Sequence, residues 1–485
     1  MTRNRKDKGL KIQPAADDLT VIDPLNDIPF EEPPASGSWV TDYAWVSGLM
    51  GAVMTVICAI FYSRTGALDN GVHFMGIQLT HTNIDSMLLA LVVITASMLL
   101  TEGVRLWLRD PKNFFQLSPR LMAGRYLAFL REAVVNWLLY VCLLGLTVLF
   151  FRTAGEYGFS RNDSYYQIWF RFIELAFIAY LWGGLPYVLL TRAFKHDPVA
   201  DRRDSSSLMA RVLQFTVSLV PGLKNLRPRF NEVDKKAARA LLVKLFFTPL
   251  MTVFFLDHFP HLVNNFTYMS TGLLDRIAGG HYTHASFNND FFNISRPFIF
   301  SIDVALAWCG YVISSRWVDN QTVTAEPTVL GWVVCLICYP PFMFSSYGMY
   351  YSPPDEAMVL HLQNQTLVTI FVALSLLSII VYMLATLWFG VRFSNVTNRG
   401  IIRKGPYAIV RHPAYAAKNI FWWTLVLPVL MYSGWKIALL MIMGLVLQSW
   451  VYYMRAMTEE RHLSADPYYR AYCQQVRYRF IPGVI

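Results

Sequence analysis

Apolar runs of helix-spanning length recur from near residue 45 almost to the end of the chain. A helix needs roughly 20 mainly apolar residues to cross a hydrocarbon core. Runs of that kind lie near Trp45–Tyr62, Met87–Val104, Ala133–Phe151, Ile168–Leu190 and Ala240–Leu256. Others lie near Pro297–Ser314, Val329–Tyr347 and Thr366–Phe389. Two closely spaced segments follow, Asn419–Met431 and Trp435–Met454, joined by the turn Tyr432-Ser433-Gly434. Pro428 sits in the first of them, so that segment is expected to cross only in part. Only 15% of residues are charged and 55% are hydrophobic, against about a quarter charged in soluble domains. The fold class this predicts is all-α: a polytopic membrane helical bundle of about ten spans, ending in a helical hairpin.

The loops between these runs alternate in charge. The N-terminal arm, residues 105–132 and residues 191–237 are rich in Lys and Arg, while residues 63–85, 152–167, 257–296 and 349–365 are nearly free of them. A net charge of +10 would suggest nucleic acid in a soluble protein. Here membrane orientation accounts for it, and the positive-inside rule predicts a cytoplasmic N-terminus. The same parity puts residues 390–418 and the tail from 455 onward in the cytoplasm. Residues 1–43 are polar, basic and then proline-rich, and read as a disordered cytoplasmic arm without a signal peptide. Residues 44–360 read as an N-terminal transmembrane region of about seven spans, and 361–485 as a compact unit carrying the dense polar motifs. Five of the six cysteines fall in predicted spans, which argues against a disulfide framework, and Cys335-x-x-Cys338 reads as buried small residues. No metal site is expected, and Asp257, His258 and His261 read as part of a solvated loop.

The run Gly405-Pro406-Tyr407-Ala408-Ile409-Val410-Arg411-His412-Pro413-Ala414-Tyr415 sits between two apolar segments. Its prolines prevent one continuous helix. The hairpin then returns the chain to the same membrane face at Arg455, followed by Glu459-Glu460. Adjacent helical carboxylates point in different directions, so one faces a pocket while the other faces solvent or Arg455. The tail closes with Leu463, Tyr468-Tyr469, Tyr472 and Phe480-Ile481-Pro482, an aromatic-rich cap. Carboxylates take ribose hydroxyls, and aromatic faces take an adenine or a sulfonium.

This combination resembles the isoprenylcysteine carboxyl methyltransferase family, which is allied to the membrane phospholipid methyltransferases. The resemblance covers about Arg392–Pro482. It implies an integral-membrane methyltransferase that uses S-adenosylmethionine on a lipophilic or membrane-embedded acceptor. By the resemblance, the cofactor-binding residues are Tyr407, His412, Pro413, Tyr415 and Glu459. Arg411, Arg455 and Glu460 are the catalytic wall nearer the acceptor. Two departures concern pocket shape and substrate: Ala416-Ala417-Lys418 where members often have Gly, and Ala465-Asp466-Pro467-Tyr468 where many have Phe-Gly. A carboxylate acceptor needs only a cation such as Arg411 or Arg455 to orient it. An amine must first lose a proton, to Glu460 or His412. The acceptor stays open among an isoprenylcysteine carboxylate, a phospholipid amine, a quinone-like lipid and a small thiol or acid. Two other readings compete. One is a sterol-type reductase using a nicotinamide cofactor, whose terminal motif is richer in Arg and Asp. The other is a transporter with a decayed methyltransferase tail, which the intact polar set opposes.

Ionisable residues inside other spans are expensive in lipid. Arg171 and Glu174, three apart on one helix face, are expected to pair with each other. Asp303 is expected to meet Lys244 or line a substrate cavity. The segment Asp319–Tyr347, with Glu326-Pro327-Thr328 and the helix-breaking Tyr339-Pro340-Pro341, is expected to form a substrate vestibule or lateral gate.

Overall fold

The apolar runs fold as helices, and their lengths follow from where capping residues and glycines interrupt them. The computed structural model describes residues 38–153, 164–194, 208–340, 342, 356–430 and 432–484. The long elements are α1 (Trp45–Thr65), α2 (Asn83–Arg109), α3 (Tyr126–Thr153), α4 (Ser164–Ala193), α5 (Glu232–Ser270) and α6 (His284–Val312). They continue with α7 (Val329–Leu336), α8 (Gln365–Phe389), α9 (Pro413–Leu430), α10 (Trp435–Leu463) and the short α11 (Pro467–Gln475). Strands are minor: β1 (His73–Phe74) pairs with β2 (Ile77–Gln78), and β3 (Thr324–Ala325) pairs with β4 (Thr397–Asn398), both antiparallel. Thr82 caps α2 by accepting from the Asp85 amide, and Asn231 with Asp234 forms a capping box on α5.

Among the described residues, seven helices are long and apolar enough to cross a membrane: α1, α2, α3, α4, α5, α8 and α10. This marks an integral membrane protein, with three fewer qualifying helices than the ten expected. The three are the helices at the expected spans 297–314, 329–347 and 419–431. In α6, Asn288, Asp290, Arg296 and Asp303 dilute the apolar run, yet Ser301–Tyr311 are all buried, so α6 is the central core helix. It packs on α1, α2, α5 and α8. At the second site α7 has only 8 residues, and at the third α9 has 18 with Pro428 inside. The loop expected from residue 257 is also helical, because α5 runs on to Ser270 with Phe259, Leu262 and Val263 in the core. His258 therefore stacks on Phe300 of α6, with ring centroids 5.3 Å apart.

The ion pairs within the bundle are mostly between helices. Arg171 and Glu174 do not pair with each other: Arg171 reaches Asp85 of α2 at 2.7 Å, and Glu174 takes Arg152 of α3. Helix packing brought closer partners than the local spacing offered. Asp303 lies beside Thr386, Tyr382 and Lys418 rather than Lys244. Buried Arg392, just after α8, bonds Glu102 of α2 at 2.6 Å and Asp319 at 3.2 Å. Residues 1–37 of the expected arm and Pro341 of the expected gate lie outside the described residues. The arm's last residues are ordered: Val40–Tyr43 form a 3₁₀ turn leading into α1.

Candidate functional site

The loop between α8 and α9 builds the site. Gly390 turns the chain out of α8 at φ 52°, where a Cβ would sit 2.3 Å from the Ala44 carbonyl oxygen. Gly405, at φ 64°, lies flat against the Trp388 indole, and a Cβ there would stand 2.1 Å from the ring. Only glycine meets both demands. Between them, β4 pairs with β3, which fixes the register of Asn395–Arg399. Val396 is held at φ 50°, a strained backbone for a β-branched residue, and it sits between the β4 ladder and Asn395. Pro413 then opens α9, where its missing N–H is no loss.

The C-terminal tail pins the Arg411-His412 segment. The Arg411 amide donates to Tyr478 O at 2.9 Å and the His412 amide to Arg479 O at 2.8 Å. Asp466 caps α11 and accepts from Asn398 Nδ2 at 2.6 Å. Burial raises its pKa, against the pull of that hydrogen bond. Tyr472 Oη donates to Tyr407 O at 2.7 Å.

Two adjoining cavities result. The first is lined by Arg399, Tyr407, Arg411, His412, Glu459, Tyr469 and Tyr472 among others. The second is lined by Glu326, Cys335, Asn395, Tyr415, Arg455, Glu459 and His462 among others. Glu459 is common to both, and its Oε2 accepts from Tyr415 Oη at 2.9 Å. In the first cavity burial holds the Tyr407 phenol well above its ordinary pKa, with Glu459 adding to the effect. Burial also pulls Arg399 down to about 10.

The residues expected from the sequence divide between these cavities. Tyr407, Arg411, His412 and Glu459 line the first, while Tyr415, Arg455 and again Glu459 line the second. Pro413 is buried beneath the loop. Glu460 lines neither cavity. It sits 3.0 Å from Arg411 Nη1, 3.2 Å from His412 Nε2 and 3.0 Å from Arg479 Nε. Arg411 and Arg455 are thus separated: the first braces Glu460, and the second donates from Nη2 to Asn395 Oδ1 at 3.1 Å. The Arg455 guanidinium also lies 5.1 Å from the Tyr415 ring and 5.6 Å from the Tyr339 ring.

Residues 366–465 match the isoprenylcysteine carboxyl methyltransferase (ICMT) family. No curated protein and no solved structure gave a match. The ICMT-family stretch supplies α8, the loop, both hairpin helices and all of Tyr407, His412, Tyr415, Arg455 and Glu459. Each cavity also takes part of its wall from outside that stretch: Tyr469 and Tyr472 in the first, Glu326 and Cys335 in the second.

The sequence reading missed Asn395, Asn398 and Arg399, and it placed Glu326 and Tyr339 in a vestibule or gate rather than beside Arg455. The polar cluster Asn395–Arg399 directly after an apolar span was the available signal. It also missed a strap over the cap. Trp39 is buried in one cluster with Ile401, Tyr469, Tyr472 and Val476, edge-on to Tyr468 at 4.9 Å and 4.2 Å from the Arg403 guanidinium. Asp42 holds Arg403 through two bonds of 2.8 Å. Asp42→Asn weakens these charge-assisted bonds by about 1–2 kcal/mol. Amide exchange across residues 39–43 should then accelerate by roughly tenfold, and unchanged exchange would show that the strap does not depend on this pair.

Proposed function

We propose that this protein is an integral-membrane, S-adenosylmethionine-dependent methyltransferase acting on a lipophilic acceptor. The observation that carries the reading is the single carboxylate, Glu459, standing between two adjoining cavities of different chemistry. Displacement at a methyl group needs donor and acceptor in line across one wall, and alignment supplies most of the rate.

The residues present fit the donor. In the first cavity Arg399 Nε, Arg411 Nε and Tyr469 Oη are buried without a hydrogen-bond partner. Such orphaned donors are uncommon in folded proteins and suit a polar ligand bearing oxygens or ring nitrogens. Arg399, Tyr407, His412, Glu459 and Tyr469 would hold it, and when bound it supplies an electrophilic methyl on sulfur. Glu459 would stand against that positive centre, and Tyr469 and Tyr472 of α11 would form the wall over it. In the second cavity Arg455 orients the acceptor's polar end. Glu460 stays with Arg411, His412 and Arg479, and its part is to hold the Arg411-His412 segment in place. The charge alternation of the loops supports a cytoplasmic opening for the donor cavity.

The test is thermal unfolding of the full chain in detergent with S-adenosylmethionine, its demethylated product or a nicotinamide nucleotide. Stabilisation of about 2.7 kcal/mol is expected at a hundredfold excess over Kd for the first two. A shift with the nicotinamide nucleotide alone would favour the reductase reading and overturn this one.

A further inference from the structure

A third cavity lies apart from the candidate site, as an apolar groove of about 710 Å³, within the range of small-molecule sites. It is lined by Leu99, Gly103 and Trp107 of α2, Phe115 beyond it, Tyr187 of α4 and Trp317 beyond α6. Tyr187 Oη donates to Ser314 O at 3.0 Å, and the Ser118 amide to Ala193 O at 2.9 Å, so the walls are tied together. Trp107, Phe115 and Tyr187 are nevertheless exposed. Gly103 sets this groove apart. Glycine weakens a helix interior, and on α1 close neighbours account for it. A Cβ at Gly48 would stand 2.1 Å from Leu387 O, and one at Gly51 2.5 Å from Leu306 Cδ2. A Cβ at Gly103 would meet nothing within 4 Å, so among the described residues nothing demands the bare backbone there. Charge marks the groove's rim. Arg316 stands between the lining residues Ser315 and Trp317, and Lys112 two residues before Phe114. Among the described residues neither side chain has a carboxylate partner. Tryptophans and unpaired cations at the end of a membrane helix suit the headgroup level and attract anionic lipid. The turn Arg316–Val318 is also fastened to the candidate site. Asn320 accepts from the Ser315 amide at 2.8 Å and donates to Val391 O at 2.8 Å. Asp319 holds Arg392 at 3.2 Å, and Arg392 lines the first cavity.

We propose that this groove binds one anionic glycerophospholipid, with an acyl chain against Gly103 between Trp107 and Trp317 and its phosphate on Arg316 and Lys112. The lipid is a bound effector, neither methyl donor nor acceptor, so the site stands independently of the methyltransferase reading. A chain packed on Trp317 steadies the turn Arg316–Val318. Asn320 and Asp319 carry that order to Val391 and Arg392, and so to the wall of the first cavity.

The experiment uses the full chain in dodecyl maltoside as wild type, Gly103→Phe and the double variant Lys112→Gln with Arg316→Gln. Thermal unfolding is followed with dioleoyl phosphatidylglycerol, dioleoyl phosphatidylcholine and dihexanoyl phosphatidylglycerol. The first should stabilise the wild type at about a tenth of the concentration the second needs. The third, with the same headgroup on short chains, should fail. Gly103→Phe puts a ring where the acyl chain would lie; it should melt in detergent alone at or above the wild-type temperature and lose the lipid response. The double variant should keep a response but lose the preference for phosphatidylglycerol. Amide exchange at residues 391–399 should slow with dioleoyl phosphatidylglycerol in the wild type and not in Gly103→Phe. A full response in Gly103→Phe, or an equal response of the wild type to the short-chain lipid, overturns the groove as the site. An unchanged preference in the double variant overturns the phosphate seat, and unchanged exchange in the wild type overturns the link to Arg392. A changed oligomeric state in Gly103→Phe with its lipid response intact would give the groove to a second copy of this chain instead.

Discussion

Replacing Glu459 with glutamine should abolish stabilisation by S-adenosylmethionine and slow methyl transfer by roughly 30–1,000-fold. The estimate follows from losing a charged partner to a buried cation, about 2–4 kcal/mol. Glutamine keeps the length and hydrogen-bonding oxygen that Tyr415 Oη uses, so the change isolates charge. Among the described residues Glu459 forms no ion pair; its hydrogen bond comes from a phenol. The variant without donor should therefore melt at or slightly above the wild-type temperature. Titration calorimetry with the donor and turnover with a labelled methyl group check the two halves. Donor affinity and turnover both within threefold of wild type would remove Glu459 from the site.

Glu460→Gln should behave in the opposite way. The Glu460 carboxylate is mostly shielded from solvent and gathers Arg411, His412 and Arg479. Breaking a buried pair by removing one partner costs about 3–5 kcal/mol. Arg479 is 40% exposed, so a figure near 3 kcal/mol is expected, read as a lowered unfolding temperature in detergent. The Arg411-His412 segment is bonded to the tail at Tyr478 and Arg479, so the donor cavity loosens with it. The donor's KM should rise while kcat at saturation stays within a fewfold of wild type. If kcat instead fell a hundredfold in a stably folded variant, Glu460 would be acting on the reacting atoms rather than bracing the loop.

Much of this arrangement was legible in the sequence because it is local. Hydropathy located α1 and α8 to within three residues and α2 to within five, since an apolar run of that length has few other solutions in lipid, while α10 runs nine residues past its expected end. The facing of Arg411 and His412 with the Glu459-Glu460 pair followed from a hairpin that returns the chain to its starting face. The rest is long-range. Trp39 meets Ile401 and Tyr472 across most of the chain, and nothing near residue 39 announces them. Arg171 had an acceptable partner at Glu174, and only the approach of α2 to α4 exposed the better one at Asp85. The α6 helix misled for a related reason. Its polar residues are matched by neighbouring helices, as with Asn288 and Gln365 at 3.0 Å, so it sits at the centre of the bundle with a hydropathy too low for the lipid-facing helices.

The ladder between β3 and β4 means that the chain cannot be cut where its motifs begin. Val323 N reaches Asn398 O, and Glu326 N reaches Val396 O, each at 2.8 Å. Both bonds cross from outside the family-matched stretch to within it. Severing the chain near residue 360 would bare these edges, leave Arg392 without Glu102, and strip one wall from the Arg455 cavity. A graft of the C-terminal unit onto another membrane protein would thus lose support on both cavities, Glu326 and Cys335 from one and the partners Glu102 and Trp39 from the other.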